Sequence, residues 1–106
     1  PTYVRPDADL AFAAAELVDS AFFNAGQSCC AVERIYVHKS LYDKFVSKFV
    51  DIAKSYKLGD LTKLETTLGP VVNPEHAKHI CKQVHDARQY HSTCVNIVTD
   101  YPNNPL

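Results

Sequence analysis

Residues 9–38 read DLAFAAAELVDSAFFNAGQSCCAVERIYVH, and the change of period within them decides the fold. Leu10, Ala14, Leu17, Val18, Ala21, Phe22 and Ala25 recur at helical spacing. The alanines among and beside them raise the helix propensity further. This predicts a helix from about Asp9 to Ala25. Asp7 or Asp9 caps its amino end, and Gly26 supplies a left-handed residue at its close. The period then shifts. Arg34-Ile35-Tyr36-Val37-His38 joins β-branched and aromatic residues and reads as a strand. A strand needs partners, and two segments qualify. One is Tyr3-Val4, just before a pre-proline Arg5 that favours extended backbone. The other is the tail around Val95–Val98.

Working outward, Ser40 is the expected cap of a second helix, with Asp43 three residues on. Leu41, Phe45, Phe49, Ile52 and Tyr56 make its apolar stripe, widened by Val46, Val50 and Ala53. Lys44, Lys48 and Lys54, with Asp43 and Asp51, form the solvent face, where i,i+4 ion pairs are expected. This helix ends near Leu58-Gly59, and a loop follows to Val72. Asn73-Pro74 then offers a cap and a first-turn proline to a third helix. Its stripe is Ala77, Ile80, Cys81, Val84 and Ala87, which places Cys81 in a core. The order helix, strand, helix, helix, with short strands at the ends, is α/β in class.

The chain has 106 residues, 46% hydrophobic and 22% charged, with a net charge of −1. Its size fits one small domain. With no basic excess to neutralise phosphates, a nucleic-acid partner is not expected. The three glycines, Gly26, Gly59 and Gly69, are too few and too scattered for a glycine-rich phosphate loop. No apolar run is long enough to span a bilayer, so no membrane partner is expected. The first residue, Pro1, is not followed by a leader pattern, which suggests a piece of something longer. Of the four cysteines, Cys29 and Cys30 are adjacent, an unfavourable spacing for a structural disulfide. A reducing, cytoplasm-like compartment fits them best.

The segment Phe22-Phe23-Asn24-Ala25-Gly26-Gln27-Ser28-Cys29 resembles the active-site cysteine segment of the aldehyde dehydrogenase superfamily. That signature is a Phe, three residues, Gly-Gln, one residue and the nucleophilic Cys. Asp7-Ala8-Asp9-Leu10, Arg34–His38, Leu41–Val46 and Leu68-Gly69-Pro70-Val71-Val72 resemble flanking segments of the same family in the same order. The resemblance runs over about residues 3–87, and 88–106 form a divergent tail without the expected glycine turn. It implies that residues 1–106 are part of an aldehyde dehydrogenase catalytic domain whose remaining sheet strands are missing.

The resemblance further implies that Cys29 is the nucleophile, attacking an aldehyde to give a thiohemiacetal and then a thioester. The Cys29 N–H helps to hold the oxyanion. Phe23 corresponds to a substrate-pocket aromatic, and Ser28 and Cys30 flank the pocket. NAD or NADP is the implied cofactor, with its binding domain outside the chain. The implied partner is a small-molecule aldehyde, the longer form is a homo-oligomer, and the compartment is cytoplasmic or mitochondrial. The family's Glu-Leu-Gly-Gly general base has no match in Glu16, Glu33, Glu65 or Glu75. Cys29 also follows a helix carboxyl end, where the dipole does not favour an anion. Activation of the thiol is therefore expected from elsewhere in the fold, and the isolated chain is expected to be inactive.

Two alternatives stand beside this. His76 and His79, three apart on one helix, with Cys29-Cys30 as thiolates, are a conceivable metal set. They lack the Cys-x-x-Cys spacing of structural zinc sites, and no metal is expected. A second alternative is a truncated, non-enzymatic chain that acts only through protein–protein contacts at its apolar faces.

Overall fold

The computed structural model describes residues 1–90. The chain divides into two compact units, Pro1–Gly69 and the part from Pro70 onward. In the first, β1 (Thr2–Val4) is followed by α1 (Leu10–Phe22), a 3-10 turn (Phe23–Gly26), β2 (Ile35–Val37), a second 3-10 turn (Lys39–Leu41) and α2 (Tyr42–Ser55). The fold is α/β. The candidate strand in the tail and Cys94 lie outside the described residues.

β1 and β2 pair in parallel, Thr2 with Ile35, Tyr3 with Tyr36 and Val4 with Val37. Thr2 N–H donates to Arg34 O at 2.9 Å and His38 N–H to Val4 O at 3.0 Å, closing the ladder at both ends. Alternation follows from the period of two. Val4 is buried, with Ile35 and Val37 packed beside it, while Tyr3 and Tyr36 face out.

α1 starts where the sequence places it. The Asp9 carboxylate accepts from the N–H groups of Ala11 at 2.9 Å and Phe12 at 3.1 Å. Asp9, not Asp7, is the cap; Asp7 pairs with Arg5 at 2.9 Å. Ala14 and Val18 are fully buried, and the small Ala14 sits in one cluster with Phe45 of α2 and Val4. Burying Val18 alone contributes roughly 1.5–3 kcal/mol.

Ser40 is not the cap of α2. It lies inside the second 3-10 turn, whose own cap is His38; the Nδ1 of His38 accepts from Ser40 N–H at 3.3 Å and bonds Ser40 Oγ at 2.8 Å. α2 begins two residues later, at Tyr42, with no side-chain cap. Its stripe packs as expected, with Phe45 and Ala53 buried. Its charged face forms no ion pair among the described residues. The i,i+4 pair occurs instead on α3, Lys82 with Asp86 at 2.6 Å.

α2 closes at Tyr56, whose ring stacks on Phe22 at 5.7 Å. Burial, and then the charge and hydrogen bond of the Asp19 carboxylate, raise the Tyr56 phenol above its usual value. The folded chain thus holds this proton longer than the unfolded chain. Stability is expected to fall as pH rises through about 10 and to level off above the folded value. Alkaline difference spectroscopy should show one late-titrating tyrosine, and Tyr56→Phe should remove it. An unchanged late phase in that variant would assign the shift elsewhere.

After Tyr56 the chain makes a closed loop rather than a loose one. Lys57 N–H donates to Thr67 Oγ1 at 2.8 Å, and Lys57 O accepts from Thr67 and Leu68 N–H at 3.0 Å each. Hydrogen bonds from Thr62 N–H and Oγ1 stabilise the Asp60 carboxylate and lower its proton affinity.

The second unit contains α3 (Pro74–Gln89). The Asn73 side chain accepts from His76 N–H at 2.8 Å, and Pro74 opens the first turn, both as expected. Cys81 is exposed, not core. No residue of α3 is buried. An apolar stripe is buried only against a partner, and α3 is the one described helix of its unit.

Candidate active-site turn

The site grows from the way α1 ends. The helix stops at Phe22, three residues before the expected Ala25. Asn24 (φ 51°), Ala25 (φ 55°) and Gly26 (φ 74°) then adopt left-handed backbone in succession. Glycine takes this conformation freely and asparagine tolerates it, but alanine pays about 1–2 kcal/mol. Such strain persists only where surrounding bonds over-determine it. Here Asn24 O accepts from both the backbone N–H of Gln27 at 3.1 Å and its Nε2 at 2.9 Å. Ala25→Gly is therefore expected to stabilise the chain by about 0.5–1 kcal/mol, strain relief exceeding the added entropy of the unfolded glycine. A lower urea midpoint in that variant would contradict the strained geometry.

The left-handed run throws the chain off the helix axis and separates two adjacent aromatics. Phe22 turns inward, its ring 6.4 Å from Phe49 and 5.7 Å from Tyr56. Phe23 turns outward and is 63% exposed. The first residue of the Phe-x-x-x-Gly-Gln-x-Cys segment is thus an anchor, in keeping with its place on the α1 apolar stripe.

Beyond Gly26 a second turn carries the cysteines. Ala31 N–H donates to Ser28 O at 3.0 Å, with Cys29 and Cys30 at the corners. Val32 N–H then donates to Ser20 O at 3.1 Å and ties the exit back to α1. Both cysteines are exposed free thiols. They differ in their partners. Cys30 Sγ is 3.1 Å from Ser28 Oγ. Cys29 Sγ has no hydrogen-bond partner among the described residues, and neither does its backbone N–H. Ser28, Cys29 and Cys30 therefore share one turn, and Phe23 opens the left-handed run before it. His76 and His79, with rings 6.4 Å apart, belong to α3. Among the described residues no three His, Cys, Asp or Glu side chains gather into a metal set.

The profile of the aldehyde dehydrogenase family matches residues 1–101. The chain belongs to the aldehyde dehydrogenase family. It is 44% identical over 87 residues to a succinate-semialdehyde dehydrogenase [NADP(+)] of Mycobacterium avium, covering 82% of this chain and 18% of that protein. An NADP-dependent glyceraldehyde-3-phosphate dehydrogenase of Bacillus halodurans, solved with NADP, superposes with a TM-score of 0.86 at 27% identity, over 100% of this chain and 22% of that one. An aldehyde dehydrogenase of Bacillus cereus, solved with NAD+, gives 0.84 at 29% identity, over 88% and 19%. The chain thus spans about a fifth of the length of the relatives it matches.

The described residues do not fit the phosphates of NAD or NADP. A dinucleotide cradle needs free N–H groups at a glycine-rich turn from strand to helix. Between β1 and α1 there is no glycine, and the Asp9 carboxylate takes the N–H groups of Ala11 and Phe12. Between β2 and α2 there is again no glycine, and His38 takes the N–H of Ser40. Nor is any described helix long and apolar enough to cross a membrane.

Proposed function

We propose that this chain is the nucleophile-bearing part of an enzyme that oxidises a small aldehyde to a carboxylic acid. The observation that carries this reading is the Cys29 turn. The left-handed run ends at Gly26, and the turn after it presents the exposed Cys29 thiol, whose Sγ and N–H have no hydrogen-bond partner among the described residues. Once its proton has passed to water or to a base supplied elsewhere in the fold, Cys29 Sγ adds to the carbonyl carbon, and the carbonyl oxygen becomes an oxyanion. The Cys29 N–H donates to that oxygen; one preorganised donor of this kind contributes about 3–4 kcal/mol. Phe23, Ser28 and Cys30 line the approach of the substrate, and the Ser28 bond holds the second thiol aside.

Conversion of the thiohemiacetal to a thioester would call for a hydride acceptor, NAD or NADP, which the described residues of this chain do not hold. The working form is a homo-oligomer of longer subunits, in a reducing, cytoplasm-like compartment where free thiols persist.

Grafting the matched residues into the corresponding segment of the Mycobacterium avium relative tests this. The graft is expected to oxidise an aldehyde, and Cys29→Ala within it to abolish turnover. Turnover that survives Cys29→Ala but not Cys30→Ala would move the nucleophile and sink the reading. The 106-residue chain alone is expected to form no NADH from propionaldehyde, because its described residues offer no phosphate cradle. Nicotinamide absorbance that rises with chain concentration would contradict this.

A further inference from the structure

Gln27 stands at the junction of two turns. Before it lies the left-handed run Asn24–Gly26, and after it the turn that carries Cys29 and Cys30. Its backbone and its side chain both donate to one atom. The N–H reaches Asn24 O at 3.1 Å and Nε2 reaches the same oxygen at 2.9 Å. We propose that Gln27 is a positioning residue for Cys29, its side-chain amide holding the left-handed run closed so that the thiol is presented at one place. This deepens the reading of Cys29 as the nucleophile and rests on it.

The run needs a clamp. Asn24 and Ala25 hold φ at 51° and 55°, a region that a side chain disfavours. Gly26, at φ 74°, has no such penalty. One backbone bond across the run fixes the separation of its ends and leaves the peptide planes between them free to tilt. A second bond to the same carbonyl, from the side chain of the far residue, fixes the direction of that carbonyl as well. The exit of the cysteine turn is tied separately, by Val32 N–H to Ser20 O at 3.1 Å. Cys29 thus lies between two anchors, and Gln27 is the nearer. Consecutive Cα atoms stand about 3.8 Å apart, so a tilt of about 10° at Ala25, carried along four residues, moves the sulfur by about 1 Å. Misplacement on that scale slows a reaction by as much as about 10²-fold. One hydrogen bond biases a conformation by about tenfold at most, and that bond sets the expected loss.

Gln27→Met keeps the length of the side chain and removes the donor. In the grafted dehydrogenase it is expected to lower kcat by about 5–10-fold and to leave KM nearly unchanged. Adding Ala25→Gly should restore most of that kcat, because glycine adopts the left-handed backbone without the clamp. Two independent packing defects would instead multiply. The same geometry is read without turnover in the 106-residue chain, using limiting iodoacetamide and then trypsin. Arg5 precedes Pro6, so the first cut falls after Arg34, and peptide 1–34 carries Cys29 and Cys30 alone among the cysteines. Fragment masses give the share of label on each thiol. Cys29 is expected to lead, since Cys30 Sγ is bonded to Ser28 Oγ, and Gln27→Met to bring the two shares closer. An unchanged kcat in Gln27→Met, or a loss that Ala25→Gly leaves in place, would overturn the positioning role. So would an unchanged ratio of label. If Cys29→Ala abolishes turnover while Gln27→Met is silent, the clamp fails and the nucleophile stands; turnover that survives Cys29→Ala removes both.

Discussion

Replacing Cys29 by alanine in the grafted dehydrogenase is expected to lower kcat by roughly 10³-fold or more, the scale seen when a covalent nucleophile is removed. Aldehyde binding should change far less, since Phe23, Ser28 and Cys30 remain. The loss belongs to bond making and should appear in kcat rather than KM. Cys30→Ala, by contrast, removes a thiol already bonded to Ser28 Oγ. Its effect is expected to stay within about tenfold, as for a pocket contact rather than a reacting atom. Steady-state kinetics on the two variants decide between the sulfurs. Equal losses would mean that the turn, not one thiol, is what the enzyme needs, and circular dichroism of both grafts would show whether the turn had collapsed.

Phe45→Ala is expected to destabilise the chain by about 3–5 kcal/mol. Phe45 is 4% exposed, packs with Val4 and Ala14, and lies 5.7 Å from the Phe49 ring. Domains of this size have only about 5–15 kcal/mol in hand, so the variant should approach its unfolding midpoint at mild urea concentrations. Phe12→Ala is the matched control, because Phe12 is 66% exposed. A surface change of that kind stays within about 0.5 kcal/mol. A similar loss in both variants would show that Phe12 is covered in solution.

The helices were legible because their signals are local. Asp9 and Asn73 each reach N–H groups two or three residues ahead, and no distant part of the chain is needed to place them. The α2 stripe was legible for the same reason. Ser40 misled because its Oγ, the atom that would cap α2, is bonded to the imidazole of His38 instead. The end of α1 was hidden because a glycine explains one left-handed residue, whereas Asn24 and Ala25 adopt theirs through the bonds of Gln27. Asn24 was the available signal, being the one non-glycine type there that tolerates such backbone. That Phe22 and not Phe23 turns inward was legible from the period, since only Phe22 falls on the α1 stripe; its ring partners, Phe49 and Tyr56, arrive from elsewhere in the chain and were not. Cys29 was singled out through the spacing of a segment, while the contrast between its sulfur, unbonded among the described residues, and the bonded one of Cys30 came only with the structure.

The distance from Phe22 to Val32 is fixed at both ends, by the aromatic stack on one side and the Ser20 carbonyl on the other. Within it Phe22 and Phe23 face opposite ways, three left-handed residues follow, and Cys29 sits at the corner of the next turn. Inserting or deleting one residue would therefore carry Phe23 into the place of Phe22 or pull Cys29 off its corner. This stretch can drift by exchange of side chains but not by change of length, and gaps in descendants of this sequence should fall in the loop after Tyr56 before they fall here.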